Sequence, residues 1–473
     1  MKKNTLVMKF GGTSVGSSSA IKRAAQLIAD TSQEWSRVAV VTSAMSGVTN
    51  LLLESAANAV QGKPHLYVQA ATKLQSMHHA VITELINEPK IQARTYQEID
   101  KLLSEFNNLC YAIQVIGEAT PRAMDAIAGL GERMSVRLLS AVLQSKGIAS
   151  QYVEATELII TDEHFQGAHP DLTATQSKAQ TILNPLLDTG IIPIITGFIA
   201  STASGIQTTL GRGGSDYSAA ILGAVLPSDE VWIWTDVDGV MSADPRLVPD
   251  ARSIAVLSYR EIAELAYFGA KVLHPKAIRP VIEKGIGLRV CNTFNPQHAG
   301  TMIVAENGPS SNGKIKAVTI IQKQNLITIE GRGMLGVPGV AARTFGAVAA
   351  TGTSVPLITQ ASSEQSICFA VPSEAARSVV QAVENAFKEE LARQDIDRVW
   401  ASDEVGIITI VGSGMRNTPG ISGRIFSALG AENVNVIAIA QGSTEVAISL
   451  VVDAKDSEKA LIELHKLISN PGN

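Results

Sequence analysis

The chain is poor in aromatic residues, in cysteine and in charge. Aromatics make up 4% of 473 residues, too few for the stacked-ring platforms that hold single-stranded nucleic acid. Lys and Arg number 39 against 44 Asp and Glu, for a net charge of −5, so there is no electrostatic footprint for nucleic acid. The three cysteines, Cys110, Cys291 and Cys368, are odd in number and far apart. They offer no disulfide framework or zinc spacing and imply a reduced, cytoplasmic chain. The eight histidines form no metal pattern, and the adjacent His78 and His79 would point about 100° apart on a helix. No Ser-His-Asp arrangement is legible in the sequence. Two uncharged stretches, 189–211 and 344–363, are full of Gly, Ser, Thr and Pro. A membrane helix needs about 20 predominantly apolar residues, so both read as buried strands and turns, with no membrane partner. The N-terminal apolar run stops after Met8, where Lys9 follows, which excludes a secretory leader.

What remains is 45% hydrophobic and 18% charged, a globular composition. At about 150 residues per domain, the length suggests roughly two to four domains. TLVMKF (5–10) runs into a Gly/Ser loop, and VAVVTSA (38–44) is a continuous apolar run suited to a buried parallel strand. Residues 51–111 are rich in Leu, Ala, Gln and Glu and read as two or more helices with a break near Pro89. IIPIITGF, VWIWTD and GLRVCN are further short strands separated by helical segments. Such alternation predicts an α/β domain, a mostly parallel sheet sandwiched by helices. AENGPSSNGK (305–314) is the linker candidate.

Beyond it lies an internal repeat. NLITIEGRGMLGVPGVAARTF (325–345) matches GIITIVGSGMRNTPGISGRIF (406–426) at an offset of 81, through Gln360/Gln441 and Glu364/Glu445. Each copy reads as βαββα, one strand short of a ferredoxin-like unit. The first copy can take VWAS (399–402). The second cannot, so IKAVTII (315–321) is expected in its sheet, nesting the first copy inside the second. GRGMLG (331–336) fits G-x-G-x-x-G, but its repeat equivalent GSGMRN loses the third Gly, and the second strand ends at Thr359-Gln360 with no acidic residue for a ribose. It reads as a tight turn that admits a small ligand or another backbone segment, not a dinucleotide site.

The chemistry-bearing residues lie upstream. Lys9 precedes Gly11-Gly12-Thr13-Ser14, where glycines admit an anion and a following helix N-terminus adds positive potential. No Lys follows Gly16, so this is not a Walker A loop. LGRGGSDYSAA (210–220) sets Arg212 and a Gly pair before Ser215 and Asp216, expected just ahead of a helix. Arg suits bidentate carboxylate or phosphate binding. WTDVDGVMSADPR (234–246) clusters Asp236, Asp238 and Asp244 at a strand's carboxyl end, with Arg246 beyond. FGAKVLHP (268–275) puts Lys271 in a helical context ending at Pro275, and LGERMS (130–135) opens an apolar helix with Glu132 and Arg133. Cations and carboxylates around Gly-rich loops point to phosphoryl transfer, where catalysis is charge neutralisation and positioning.

Together these motifs resemble the aspartokinases of the amino acid kinase family: KFGGTSV, SAMSGVTN, GER, GRGGSDYSA, WTDVDGV, DPR and FGAKVLHP, in the family's order. The repeat resembles that family's paired ACT regulatory domains. The resemblance implies an amino acid kinase domain over 1–304, a linker over 305–314, a first ACT domain over 325–402, and a second built from 315–324 plus 403–473. Each ACT domain would be a ferredoxin-like βαββαβ unit. It implies transfer of the γ-phosphoryl of MgATP to the side chain of L-aspartate, at the head of lysine, threonine and methionine synthesis. Lys9 and Asp216 would be catalytic, with Lys9 bridging phosphoryl and acceptor and Asp216 organising the site's cations. Ser43, Thr49 and Phe198 would line the aspartate site. Arg212 would clamp its α-carboxylate, and Glu132 would take its ammonium. Lys9, Gly11, Gly12, Thr235, Asp236, Arg246 and Lys271 would serve ATP. Mg²⁺ would come with the nucleotide, with no protein metal site. Met241 stands where the family usually has Tyr.

LITQASSE and IAIAQGSTE resemble the regulatory half of the bifunctional aspartokinase–homoserine dehydrogenases. This implies an amino-acid effector, threonine before lysine, at Gln360, Gln441 and Asn433, and a homodimer or higher oligomer through the ACT domains. Two other readings are weighed: a kinase of the same fold acting on glutamate or acetylglutamate, and a non-enzymatic amino-acid sensor. The paired repeat disfavours the first. The presence of Lys9, Arg212 and Lys271 disfavours the second.

Overall fold

The computed structural model describes residues 4–269, 273, 275–305, 315–334, 337–360 and 365–469. Two compact units emerge: residues 1–240, 255–257 and 272–305, and residues 241–254, 258–271 and 306–473.

The first unit contains β1 (Thr5–Phe10), β2 (Arg37–Thr42), β3 (Ser150–Val153), β4 (Ile160–Thr161), β5 (Ile192–Thr196), β6 (Ile199–Thr202), β7 (Gln207–Thr209), β8 (Glu230–Thr235), β9 (Val256–Ser258), β10 (Gly287–Asn292) and β11 (Thr301–Val304). Eight of these form one sheet in the order β3-β5-β2-β1-β8-β10-β11-β9. The pairs from β3 across to β10 are parallel, and β10–β11 is antiparallel. A parallel sheet covered on both faces needs strands that are apolar throughout. Accordingly β1 is buried at all six positions, which also takes Lys9 out of water. β4, β6 and β7 form a separate small sheet.

Two long helices, Pro64–Leu85 and Pro89–Ile116, each open on a proline, whose missing N–H costs nothing in the first turn. They pack in the same core as Leu6, Val40, Leu52 and Leu138. The adjacent histidines diverge. His78 is fully buried against Leu74 O, and burial lowers its pKa to about 4. His79 reaches Asp100 at 2.9 Å. No helix of the described residues is long and apolar enough to cross a membrane.

The second unit holds a six-stranded antiparallel sheet: β12 (Ala317–Glu330), β13 (Leu357–Gln360), β14 (Ser366–Pro372), β15 (Arg398–Val411), β16 (Val436–Gln441) and β17 (Ala447–Asp453). Their order is β13-β14-β12-β15-β17-β16. Residues 317–321 pair with 407–411 of the second repeat copy, while 324–330 pair with β14 and with residues 398–405. The segments that read as separate strands, IKAVTII and NLITIE, are therefore one 14-residue strand, as are VWAS and GIITIV. Register slips near Ile321–Ile327, with Lys323 at φ 57°, let one strand serve two half-sheets. Each half-sheet has its own helix-covered core, around Phe369 and Val383 in one and Ile425 and Leu461 in the other. A third cluster, including Leu326, Leu357, Ile407 and Val451, joins them.

Segments 241–254 and 258–271 belong to this unit. Ala243 and Val248 sit in the second copy's core, and Ser242 Oγ meets His465 Nε2 at 2.8 Å. Glu261 is fully buried, ion-paired to Lys316 at 2.8 Å, and accepts from Ser413 N at 2.7 Å. Burial works to raise its pKa, but Lys316 and the backbone amides hold it below the ordinary range. Within FGAKVLHP, Lys271, expected in a helical context ending at Pro275, lies outside the described residues. The preceding helix ends at Tyr267, and Pro275 begins the next one, Pro275–Lys284. Proline favours a first turn over a last one.

Candidate active site

The parallel strands end together, and their carboxyl ends carry most of the chemistry, as expected for an open α/β sheet. Lys9 lies at the end of β1 and Asp216 in the first turn of the helix Gly214–Val225. Ser215 and Asp216 are thus inside that helix, not ahead of it. Their Lys9 Nζ–Asp216 Oδ1 contact is 2.6 Å, with side chains 10% and 15% exposed. Asp216 Oδ1 forms no directional hydrogen bond, so the pair is held by charge.

The glycine loop is fixed from behind. Gly11 N donates to Trp234 O at 3.1 Å, and Ser46 N donates to Gly12 O at 3.1 Å. Ser14 Oγ donates to Trp234 O and accepts from Thr293 Oγ1 at 2.8 Å. Gly11 therefore lends its N–H to the β8 end, and its value at the site is the space left beside Lys9. Trp234 stacks on Phe10 with centroids 6.0 Å apart.

Glu132 stands in the first turn of the helix Leu130–Ser145. Its carboxylate accepts from Ala44 N at 3.2 Å, beside Ser43. Its other oxygen is buried with no hydrogen-bond partner among the described residues. Burial pushes its pKa up to about 8, against the hydrogen bond from Ala44. A buried carboxylate with a free oxygen suits an ammonium group. Ser43 is half-buried after β2, with its N–H on Phe10 O, and Thr49 lies in the first turn of Val48–Val60.

Phe198 adopts φ 66° and donates its N–H to Ser218 Oγ at 3.0 Å. A Cβ on Gly214 would fall 2.6 Å from the Phe198 ring, so this close packing requires glycine. Arg212 is exposed between Gly211 and Gly213, both at positive φ, and makes no ion pair among the described residues.

Thr235 and Asp236 follow β8, with Thr235 Oγ1 on Asp236 Oδ1 at 3.1 Å. The expected aspartate cluster divides. Asp238 accepts from Asn292 and Asn295 at 2.8 and 3.0 Å, a loop latch. Asp244 lies in the other unit, paired with Arg246 at 2.5 Å. Lys271 lies outside the described residues. In the second unit Gln360 and Gln441 are exposed at the ends of β13 and β16, edge strands that approach one another. Asn433 is exposed at φ 55° just beyond the helix Ile421–Ala431. Gly331 and Gly333 pack on the backbone of Asp395, so this turn serves the approach of another backbone segment.

Sequence reasoning missed Ser14, Thr293, Ser218 and Asp125, which hold the site from behind. For Ser14 the signal was its place in the glycine loop. For the others no local pattern marks them.

Residues 4–292 match the amino acid kinase family, and residues 327–387 and 408–467 each match the ACT domain. A chloroplastic bifunctional aspartokinase/homoserine dehydrogenase of Daucus carota is 38% identical over 97% of this chain and 50% of its own length. The chain thus spans about half the length of the first curated relatives it matches. The aspartokinase of Schizosaccharomyces pombe is 31% identical over 99% of this chain and 93% of its own. E. coli aspartokinase III, solved with aspartate and ADP, superposes with a TM-score of 0.82 at 30% identity, covering 99% of this chain and 100% of that one. Solved with lysine and aspartate, it gives 0.77 at 30% identity over 98% and 100%. The chain belongs to the amino acid kinase family, in its aspartokinase branch, with ACT domains after the kinase domain.

Proposed function

We propose that this protein transfers the γ-phosphoryl of MgATP to the side-chain carboxylate of L-aspartate, giving 4-phospho-L-aspartate for lysine, threonine and methionine synthesis. The observation that carries this is the buried Lys9–Asp216 pair at the same strand ends as Glu132, whose free buried oxygen suits an amino-acid ammonium. Both reactants are anions, so attack of carboxylate on phosphoryl needs its charge cancelled. Lys9 supplies a desolvated cation between the two, and Asp216 holds it in place. Arg212 takes the α-carboxylate and Glu132 the ammonium, with Ser43, Thr49 and Phe198 around them. Thr235 and Asp236 hold the nucleoside, and the glycine loop, Arg246 and Lys271 serve its phosphates. We read Mg²⁺ as part of the nucleotide substrate, consistent with its habit of binding through phosphates and water. The buried or half-buried free cysteines fit a reducing, cytoplasmic setting.

An ADP-release assay over aspartate, glutamate and acetylglutamate tests this reading. Strong preference for aspartate is expected. Equal turnover of all three acids, or none with any, overturns it.

For regulation, we read the boundaries 325–402 and 315–324 plus 403–473 as nested ACT domains. The effector, threonine before lysine, would sit at Gln360, Gln441 and Asn433. Half-exposed Ile358, Ile437 and Ile439 on the edge strands support assembly of at least two chains. Activity with saturating threonine, lysine or methionine, run beside sedimentation velocity, is expected to show inhibition by threonine and a mass of two chains or more. Equal activity with and without threonine sinks the effector assignment, and a single-chain mass sinks the assembly.

A further inference from the structure

Asp125 carries no local signature of function, yet it is 1% exposed and has no cation beside it among the described residues. Its carboxylate is held by hydrogen bonds alone. Oδ2 accepts from Gln166 N and from Thr209 N, each at 3.0 Å. Oδ1 accepts from Thr209 Oγ1 at 2.8 Å. Its backbone carbonyl accepts from Gln207 Nε2 at 2.7 Å. Burial raises the carboxyl above its ordinary range even against these bonds.

The groups it holds lead directly to the proposed substrate residues. Thr209 ends β7, and the next residue, Leu210, donates its N–H to Phe198 O at 2.9 Å. Thr209 O accepts from Ala168 N at 2.9 Å, closing the 166–168 turn onto β7. Gln166 sits at φ 68°, and its carbonyl lies 3.1 Å from where a Cβ on Gly211 would be. Gly211, at φ 74°, is the residue before Arg212. One buried carboxylate thus ties the turn that backs Arg212 to the strand that braces Phe198.

We infer that Asp125 is a positioning residue for acceptor binding, setting Arg212 and Phe198 through the 166–168 turn and β7. This rests on the reading of Arg212 as the α-carboxylate clamp. Arg212 and Phe198 bind the acceptor in this reading, so misplacing them weakens aspartate binding and the effect belongs in KM for aspartate. The side-chain chemistry makes a sharp distinction. An asparagine oxygen can take both backbone amides, while its NH₂ turns to Thr209 Oγ1, a hydroxyl that accepts as well as donates. Alanine can do neither.

The test uses the full chain and five variants. Asp125→Ala is expected to raise KM for aspartate about tenfold or more, with KM for ATP within about twofold, the signature of lost acceptor binding. Asp125→Asn should stay within about threefold of wild type. Asp125→Ala in an Arg212→Ala background should raise KM by less than it does in wild type, because part of its effect runs through Arg212 and only the part through Phe198 remains. Asp125→Ala with unchanged KM for aspartate, or with both KM values raised equally, overturns the inference. Should Asp125→Ala fail to fold, Thr209→Val decides. It removes only the hydroxyl donor and is expected to raise KM for aspartate about threefold, and no change overturns the inference. Arg212→Ala alone separates the two layers. If it leaves KM for aspartate unchanged, the clamp reading fails. If it raises KM while Asp125→Ala does not, only the positioning role fails.

Discussion

Replacing Lys9 with alanine is expected to lower kcat by about 10²–10³-fold or more while the sheet stays folded, the scale seen when one preorganised electrostatic group is removed. The reason lies in burial. Lys9 is on a strand buried at every position, and its ammonium lies 2.6 Å from Asp216. Water cannot take its place in cancelling the charge of two approaching anions. The same burial makes the variant less stable, because Asp216 is left without its cation. Breaking a buried pair from one side costs about 3–5 kcal/mol, whereas removing both charges can be nearly neutral. Lys9→Met combined with Asp216→Asn is therefore expected to recover the melting temperature of wild type but not its turnover. Steady-state ADP release and thermal unfolding check both halves. Near-wild-type kcat in Lys9→Ala contradicts the role given to the lysine. A double variant as unstable as the single one contradicts the account of its partner.

Binding of L-aspartate at pH 7 is expected to release nearly one proton, from Glu132. Burial pushes this carboxyl up to about 8, so without a cation beside it the group is mostly neutral at pH 7. An ammonium within reach of its free oxygen favours the ionised form. Calorimetry in buffers of different ionisation enthalpy reads the release directly, and a binding enthalpy identical in all buffers refutes the assignment. The sign for stability follows from the same shift. The folded pKa lies above the unfolded value of 4.5, so the folded chain holds the proton more tightly. That contribution is complete below pH 4.5 and is lost as pH rises through about 8. Glu132→Gln, which stays neutral, is expected to unfold at a higher temperature than wild type at pH 8.5, with no such gap at pH 4.5. At about 1.4 kcal/mol per pKa unit the gap is on the order of a few kcal/mol. The same variant should raise KM for aspartate by about 10²-fold, as truncating a buried charge pair does. A gap independent of pH would show that Glu132 is not the group that titrates.

Much of the site could be read from short motifs because its residues lie at strand ends and helix starts. Lys9 closes β1, Asp216 opens a helix behind a Gly pair, and Glu132 opens another. In each case glycine spacing and the switch from apolar run to helix mark the position. Asp125 and Thr293 show the opposite case. Asp125 meets partners 41 and 84 residues away in sequence, and Thr293 meets Ser14 across 279. No local spacing encodes such a partner.

The sequence by itself determined the α/β alternation, the repeat at an offset of 81 and the glycine-rich loops with their charges. These are local properties, set by side-chain periodicity and backbone freedom. The tertiary structure decided which charges are buried and which strands are one. Only packing shows that Lys9 and Asp216 share a desolvated contact, or that Glu132 keeps an oxygen without a partner. Only the ladder of β12 and β15 shows that four short apolar runs are two long strands serving both repeat copies. The low aromatic and charge content reads the same way in retrospect. With few charged residues to spare, the ones that are buried were placed there by long-range contacts, and burial is a property of the fold that no stretch of sequence carries alone.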